Sequence, residues 1–142
     1  MPNKQYTSND QRLLEDIMRH RRDDRGNNFL DTDVSNIVVK NILQAATLAP
    51  SVGFSQPWEF VVIRCNKTKN QVADSFKLEN QKAEKNLAAK NKKRIIRLKL
   101  EGILEAPVNI AVFYKPSVAP VLGQNSTPEM GEYSVICAVQ NM

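Results

Sequence analysis

The sequence is poor in the residues that most enzyme chemistry uses. Its 142 residues include one histidine, His20, and two cysteines, Cys65 and Cys137. Neither cysteine has a neighbour at metal-ligand or redox spacing, so both are expected as buried thiols in a reducing cytoplasm, and no metal site is expected. His20 has no visible acid or nucleophile beside it, which favours a surface or helix-end position over catalysis. No Gly-x-Gly-x-x-Gly, no Walker-type phosphate loop and no His-Glu-x-x-His occurs. Dinucleotide folds, P-loop enzymes and zinc hydrolases are thereby disfavoured. No apolar run approaches the roughly 18 residues of a membrane span. The first residues, Met1-Pro-Asn-Lys-Gln-Tyr6, lack the apolar core of a secretory signal. A cytoplasmic protein with no membrane partner is expected.

What is present has the size of one domain. An apolar share of 42% and a charged share of 25% suit a chain that buries a core, and a single domain over 1–142 is expected. A net charge of +5 raises the question of nucleic acid, and its distribution answers it. Residues 67–99 hold eleven Lys/Arg against three acids, a surplus of +8 that leaves −3 for the rest of the chain. No aromatic interleaving or zinc spacing accompanies this run, so it reads as a solvated helix face with no nucleic-acid partner.

In chain order, Ser8, Asn9 or Asp10 can cap a first helix whose apolar face is Leu13, Leu14, Ile17 and Met18. It runs into the cationic cluster Arg19-His20-Arg21-Arg22 and should end before the turn formers Gly26-Asn27-Asn28. Asp33 is expected to cap a second helix, with Val34, Ile37, Val38, Ile42, Ala45, Ala46 and Ala49 on one broad face. Pro50 biases Ala49 out of the α region and ends it. Residues 59–63 read as a buried strand. From Asn66 the sequence is polar and its helical pattern is weak until Ala83, although Val72, Phe76 and Leu78 can pack inward. An apolar patch at Ile95, Ile96, Leu98 and Leu100 precedes a second strand over 108–114. Residues 116–128 are loop-like. A last helix over 129–142 places Tyr133, Ile136 and Val139 or Gln140 near one face.

The most informative stretch joins the second helix to the first strand. In Ala49-Pro50-Ser51-Val52-Gly53-Phe54-Ser55-Gln56-Pro57-Trp58, two prolines stiffen the chain and Gly53 allows close backbone approach. Small residues and exposed amides at such a corner suit a flat ligand, and an ordinary turn is the alternative. Upstream, Arg21, Arg22 and Arg25 lie at or beyond the first helix end. There their planar forks can bond phosphate oxygens, or can satisfy helix carbonyls and surface acids.

Together, Arg21-Arg22-Asp23-Asp24-Arg25, Ala49-Pro50-Ser51-Val52-Gly53 and Gln56-Pro57-Trp58 resemble the motifs of the nitroreductase-like FMN proteins. Most of those carry serine at the third arginine-motif position. Asp23, with Leu98-Lys-Leu-Glu-Gly-Ile103 and Glu105-Ala-Pro-Val108, is similar to one branch, the aerobic 5,6-dimethylbenzimidazole synthases or flavin destructases. The resemblance covers the chain from about Met18 onward. It implies an α+β fold with helices around an antiparallel-rich central sheet, and a homodimer with FMN in a cleft at its interface. Arg21, Arg22 and Arg25 would hold the phosphate. Pro50 and Ser51 would contact the ring, Gln56 would support their loop, and Leu100 would form an apolar wall. The region after Asn66 would cover the flavin as a lid. Relatives continue the last helix into further strands, so an amino-terminal portion of the fold is expected.

The resemblance implies that reduced FMN is both cofactor and substrate, that O2 is the co-substrate, and that a flavin reductase can supply the FMNH2. Fragmenting the ring with oxygen needs proton transfers at ring carbons and nitrogens. A carboxylate can accept and return those protons near neutral pH and a serine cannot, which makes Asp23 the catalytic candidate. Pairing of Asp23 with Arg22 or Arg25 is the structural alternative. Two other readings stay open: an NAD(P)H-dependent nitroreductase that returns its flavin intact, and a non-catalytic flavin-binding domain.

Overall fold

The computed structural model describes residues 4–24, 26–85, 102–117, 121–123 and 126–142. These form α1 (Ser8–His20), α2 (Asn36–Thr47), β1 (Trp58–Ile63), α3 (Asn66–Lys85), β2 (Asn109–Tyr114) and α4 (Met130–Asn141), an α+β arrangement. The patch at 95–100 lies outside the described residues. No helix among the described residues is long and apolar enough to cross a membrane.

The first helix starts one residue before the expected caps. The Asp10 amide donates to the Thr7 hydroxyl at 3.3 Å, and the Asp10 carboxylate accepts from the Thr7 amide at 2.8 Å. This reciprocal pair satisfies two N-terminal donors at once. His20 Nδ1 lies 2.8 Å from the Asp16 carbonyl, a helix-end role. Leu13, Leu14, Ile17 and Met18 do share a face, but that face is exposed and borders an open apolar groove with Tyr6.

Asp33 does not cap α2; Ser35 does, accepting from the Val38 amide at 3.3 Å. Asp33 is instead bonded by Arg64, just past β1, at 2.8 Å. The same guanidinium donates to the Val34 carbonyl and to Asn36 Oδ1, fastening the start of α2 to the end of β1. The inward face of α2 keeps the expected carboxyl-terminal residues and differs at its start, where Val39 takes the inward place of Ile37 and Val38. Val39, Ala46 and Ala49 are buried, whereas Ile37 and Val38 are exposed.

The partner of this inward face is α4. Ala138 and Ala46, both 0% exposed, meet with Ala49 in the core, and Trp58, Phe60 and Met142 pack around them. Alanines let two helix backbones approach closely, and the bulkier side chains then turn outward. The inward face of α4 is accordingly Gly131, Ser134, Val135 and Ala138, while Tyr133, Ile136 and Val139 are exposed. Asn141 Nδ2 adds a bond to the Ala45 carbonyl at 3.3 Å.

Strands β1 and β2 pair antiparallel, Trp58 opposite Tyr114 and Ile63 opposite Asn109. The Lys115 amide extends the ladder to the Pro57 carbonyl at 2.8 Å. The expected burial of β1 does not hold: Val61 is exposed on the face opposite Trp58 and Phe60, and Val62, on their face, is exposed because it lies beyond the residues packed on the alanine core.

Helix α3 begins at Asn66, well before the pattern strengthens. Local polar contacts start it: Cys65 Sγ accepts from the Thr68 amide at 3.4 Å and lies 3.1 Å from the Thr68 hydroxyl. Downstream, Lys82 pairs with Glu79 at 2.6 Å. Ala73 is buried and Phe76 half-buried, while Val72 and Leu78 face outward. Lys69 departs from the solvated-face reading. It is 5% exposed, and its Nζ donates to the carbonyls of Ala106 and Pro107 at 2.6 and 3.0 Å.

Both cysteines are exposed, contrary to expectation. Cys65 sits at a helix start, and Cys137 lies on the outward face of α4. The Thr68 hydroxyl and amide hold the Cys65 thiol below its ordinary value, which increases the thiolate fraction near neutral pH. Cys65 should therefore be alkylated faster than Cys137 at pH 7. Mass mapping after brief iodoacetamide treatment checks this, and equal labelling of the two would contradict it.

Candidate functional site

The corner between α2 and β1 is fixed by its own backbone. The Phe54 amide donates to the Ser51 carbonyl at 3.1 Å and the Ser55 amide to the Val52 carbonyl at 3.0 Å. Ser51 Oγ accepts from the Gln56 amide at 3.0 Å, and the Gln56 carbonyl accepts from the Trp58 amide at 2.8 Å. Ser51 and Gln56 are thus joined directly, and Gln56 supports the loop through its main chain. Three residues here have left-handed backbone: Gly53 at φ +53°, Phe54 at +53° and Gln56 at +45°. At Gly53 a side chain is also excluded sterically, since a Cβ would lie 2.5 Å from Val121 Cγ1. Pro50 is exposed and Ser51 half-buried.

One anchor of this loop was not identified from the sequence. Buried Ser134 in α4 accepts from the Val52 amide at 3.1 Å and donates its hydroxyl proton to the Met130 carbonyl at 2.7 Å. Its only sequence signal is a small polar residue on an otherwise apolar helix. Behind the loop, Val52, Ser55, Pro57, Tyr114, Val121 and Met130 line a cleft of about 20 Å³. That is room for about one water, so this cleft itself does not hold a ring-sized ligand.

The arginine segment follows α1 directly. Arg21 is the C-cap of that helix. One terminal nitrogen of Arg22 donates to the carbonyls of Arg19 and Arg21, both at 2.8 Å. The helix-carbonyl alternative is therefore realised for that nitrogen, and it holds the fork at the helix end. Arg21, Arg22, Asp23 and Asp24 are all exposed; Arg25 lies outside the described residues. Next comes a short 3-10 turn, Gly26–Asn28, whose Gly26 is buried. It packs on Gly102, where an added Cβ would lie 3.0 Å from Phe29 Cε2 and 3.6 Å from Gly26 Cα. This contact sets the start of the turn after the arginine segment against Gly102 of the 98–103 motif. Leu100 of that motif lies outside the described residues. No hydrogen bond among the described residues joins Arg21 or Arg22 to Pro50, Ser51 or Gln56; the two halves have separate anchors.

The residues present suit a flavin mononucleotide in kind. Exposed guanidinium forks match a phosphate dianion, and the outer face of the loop offers Pro50, Ser51 and an exposed aromatic to a planar ring. The family comparison decides the kinship: the model described as "Nitroreductase family" matches residues 18–142. The chain belongs to the nitroreductase family. This nitroreductase-family chain is 35% identical over 131 residues to a 5,6-dimethylbenzimidazole synthase of Rhodospirillum rubrum, covering 91% of this chain and 61% of that protein. It is also 50% identical over 51 residues to a nitrobenzene nitroreductase of Ectopseudomonas oleovorans, covering 36% of this chain and 22% of that one. A solved BluB-like flavoprotein from Clostridium difficile 630 superposes with a TM-score of 0.65 at 24% identity, covering 90% and 66%. That likeness establishes the nitroreductase-like fold. The chain spans about three fifths of the length of the curated synthases it matches, 61% in the R. rubrum case.

If Arg21 and Arg22 hold a phosphate, FMN should bind more tightly than riboflavin. A charge-assisted contact contributes about 1.5–3 kcal/mol, equivalent to roughly tenfold or more in affinity. Quenching of flavin fluorescence on titration measures both constants, and equal affinities would remove the phosphate assignment.

Proposed function

We propose that this chain carries the flavin site of a 5,6-dimethylbenzimidazole synthase, which fragments reduced FMN with O2 to form that benzimidazole, the lower ligand of cobalamin. Bound reduced FMN would supply both the electrons for oxygen and the carbon skeleton of the product. Arg21, Arg22 and Arg25 would bind its phosphate, Pro50 and Ser51 its ring, and Leu100 would wall the ring side. Asp23 would accept and return ring protons at its carboxylate oxygens. The observation that carries the reading is the position of Asp23. It is exposed directly after the Arg22 fork, on a segment that leads into the Gly26–Gly102 contact. The named synthases aligned over 91% of the chain support it.

The short segment with 50% identity to a nitrobenzene nitroreductase favours a second reading, repeated oxidation of NAD(P)H with the flavin returned intact. The two differ in what happens to the flavin. Incubation with FMN, a reductant and air, followed by chromatography with mass detection, should show flavin consumed and a benzimidazole formed. Continued reductant oxidation over unchanged flavin would establish the reductase. A homodimer, a cytoplasmic location and a separate flavin reductase as the source of FMNH2 belong to the same proposal.

A further inference from the structure

Phe54 combines two properties that oppose each other in an ordinary loop residue. The residue is 82% exposed, and its backbone is left-handed at φ +53°. A bulky side chain is disfavoured in that region because its Cβ crowds the following carbonyl. An exposed ring gains little packing to offset the strain. Glycine would satisfy the geometry at this position without cost, as it does one residue earlier at Gly53.

The loop nevertheless imposes this conformation from several sides. The Phe54 amide is bonded to the Ser51 carbonyl, the Val52 amide is held by Ser134, and Gly53 is pressed against Val121. Gln56, also left-handed, is locked by the Ser51 hydroxyl. Everything fixed is backbone, and the side chain it displays is the ring. The cleft of about 20 Å³ behind the loop has no room for a ring-sized ligand and is not lined by Phe54, which is exposed and open to a ligand that meets the loop from solvent. Over-determined strain that presents one side chain is a device for holding a ligand in place.

We infer that Phe54 is a binding residue that stacks on or edges against a planar heteroaromatic ring. The inference rests on the FMN reading and deepens it: the loop would grip the ring through an aromatic side chain as well as through Pro50 and Ser51. Removal of one stacking aromatic from a planar-ring site weakens binding by about tenfold.

The test uses riboflavin as probe, because it keeps the ring and lacks the phosphate. Affinity is read by fluorescence quenching, together with the thermal midpoint and the solution mass by light scattering. Phe54→Gly should keep a midpoint at or above the parent's, since it relieves the left-handed strain, and should lose about tenfold in riboflavin affinity. Phe54→Tyr should bind within about twofold of the parent, whereas Phe54→Leu, apolar but not planar, should lose about threefold or more. Parental affinity in the glycine or leucine variant overturns the inference. So does a loss of affinity that tracks a lower midpoint, which would make Phe54 a loop brace. A loss that accompanies a fall in solution mass overturns it too, by making Phe54 a subunit contact. A parent chain that binds neither FMN nor riboflavin overturns the flavin reading itself.

Discussion

Replacing Asp23 by asparagine should lower benzimidazole formation by about 10²-fold or more, the usual scale for a general acid–base group. The variant keeps the size and most of the hydrogen bonding of the side chain and loses only its proton acceptor. Asp23→Ser, which installs the residue common among nitroreductases, should show the same loss. Flavin affinity should stay near the parent's in both, because the phosphate contacts are assigned to the arginines and the ring contacts to the loop. The separation of binding from turnover is what gives the experiment its force. Product formation by Asp23→Asn at the parent rate would reduce Asp23 to a partner for the neighbouring guanidinium groups.

The largest expected effect on stability belongs to Lys69. Its ammonium is 5% exposed and bonded to two main-chain carbonyls in the turn that leads to β2. Lys69→Met keeps the length of the side chain and strands the carbonyls of Ala106 and Pro107. Bonds to a charged donor contribute about 1.5–3 kcal/mol, so a net loss of about 2–4 kcal/mol is expected. It should appear as a lower urea midpoint with an unchanged slope. Lys69→Arg should fall between, since a planar guanidinium cannot place a compact charge between two carbonyls. A parental midpoint for Lys69→Met would mean that water or another donor replaces the ammonium.

Lys69 also marks the limit of what the sequence discloses. It stands in a run of basic residues whose solvated reading fits Lys77 and Lys82, and nothing local sets it apart. Its partners lie 37 and 38 residues away. The same distance problem explains the caps. Asp33 and Ser35 are both good caps, and Arg64, 31 residues on, takes the aspartate and leaves the serine. Periodicity places Ala46 of α2, and Ala49 just past it, on the inward face, as found, but it does not settle which isoleucines and valines join them, because it ranks those residues above alanine. Close helix packing reverses that order, putting Ala46 and Ala138 inside and Ile37 and Ile136 outside.

What was legible was local. Helices α1, α2 and α4, both strands, the stop at Pro50 and the close approach at Gly53 follow from turn chemistry and period, whereas the start of α3 does not. The motifs at 21–25 and 50–58 were visible through their resemblance to a family, and the family match over 18–142 agrees with it. The contacts beside and within those motifs, Gly26 on Gly102 and Ser134 on Val52, are long-range and leave no pattern in the sequence.

The bond between the Val52 amide and Ser134 spans 82 residues, and the Asn141 bond to Ala45 spans 96. During synthesis the loop leaves the ribosome long before its anchor exists. It cannot reach its final shape until α4 has emerged and docked. Closing so long a segment slows folding, because chain entropy is lost before the contact forms. The corner is thus among the last parts to be completed, and flavin capture at the proposed site would report completed folding of the chain behind it. A nascent chain stalled before residue 134 would carry the whole loop sequence and its local Ser51 bonds but not the Ser134 anchor.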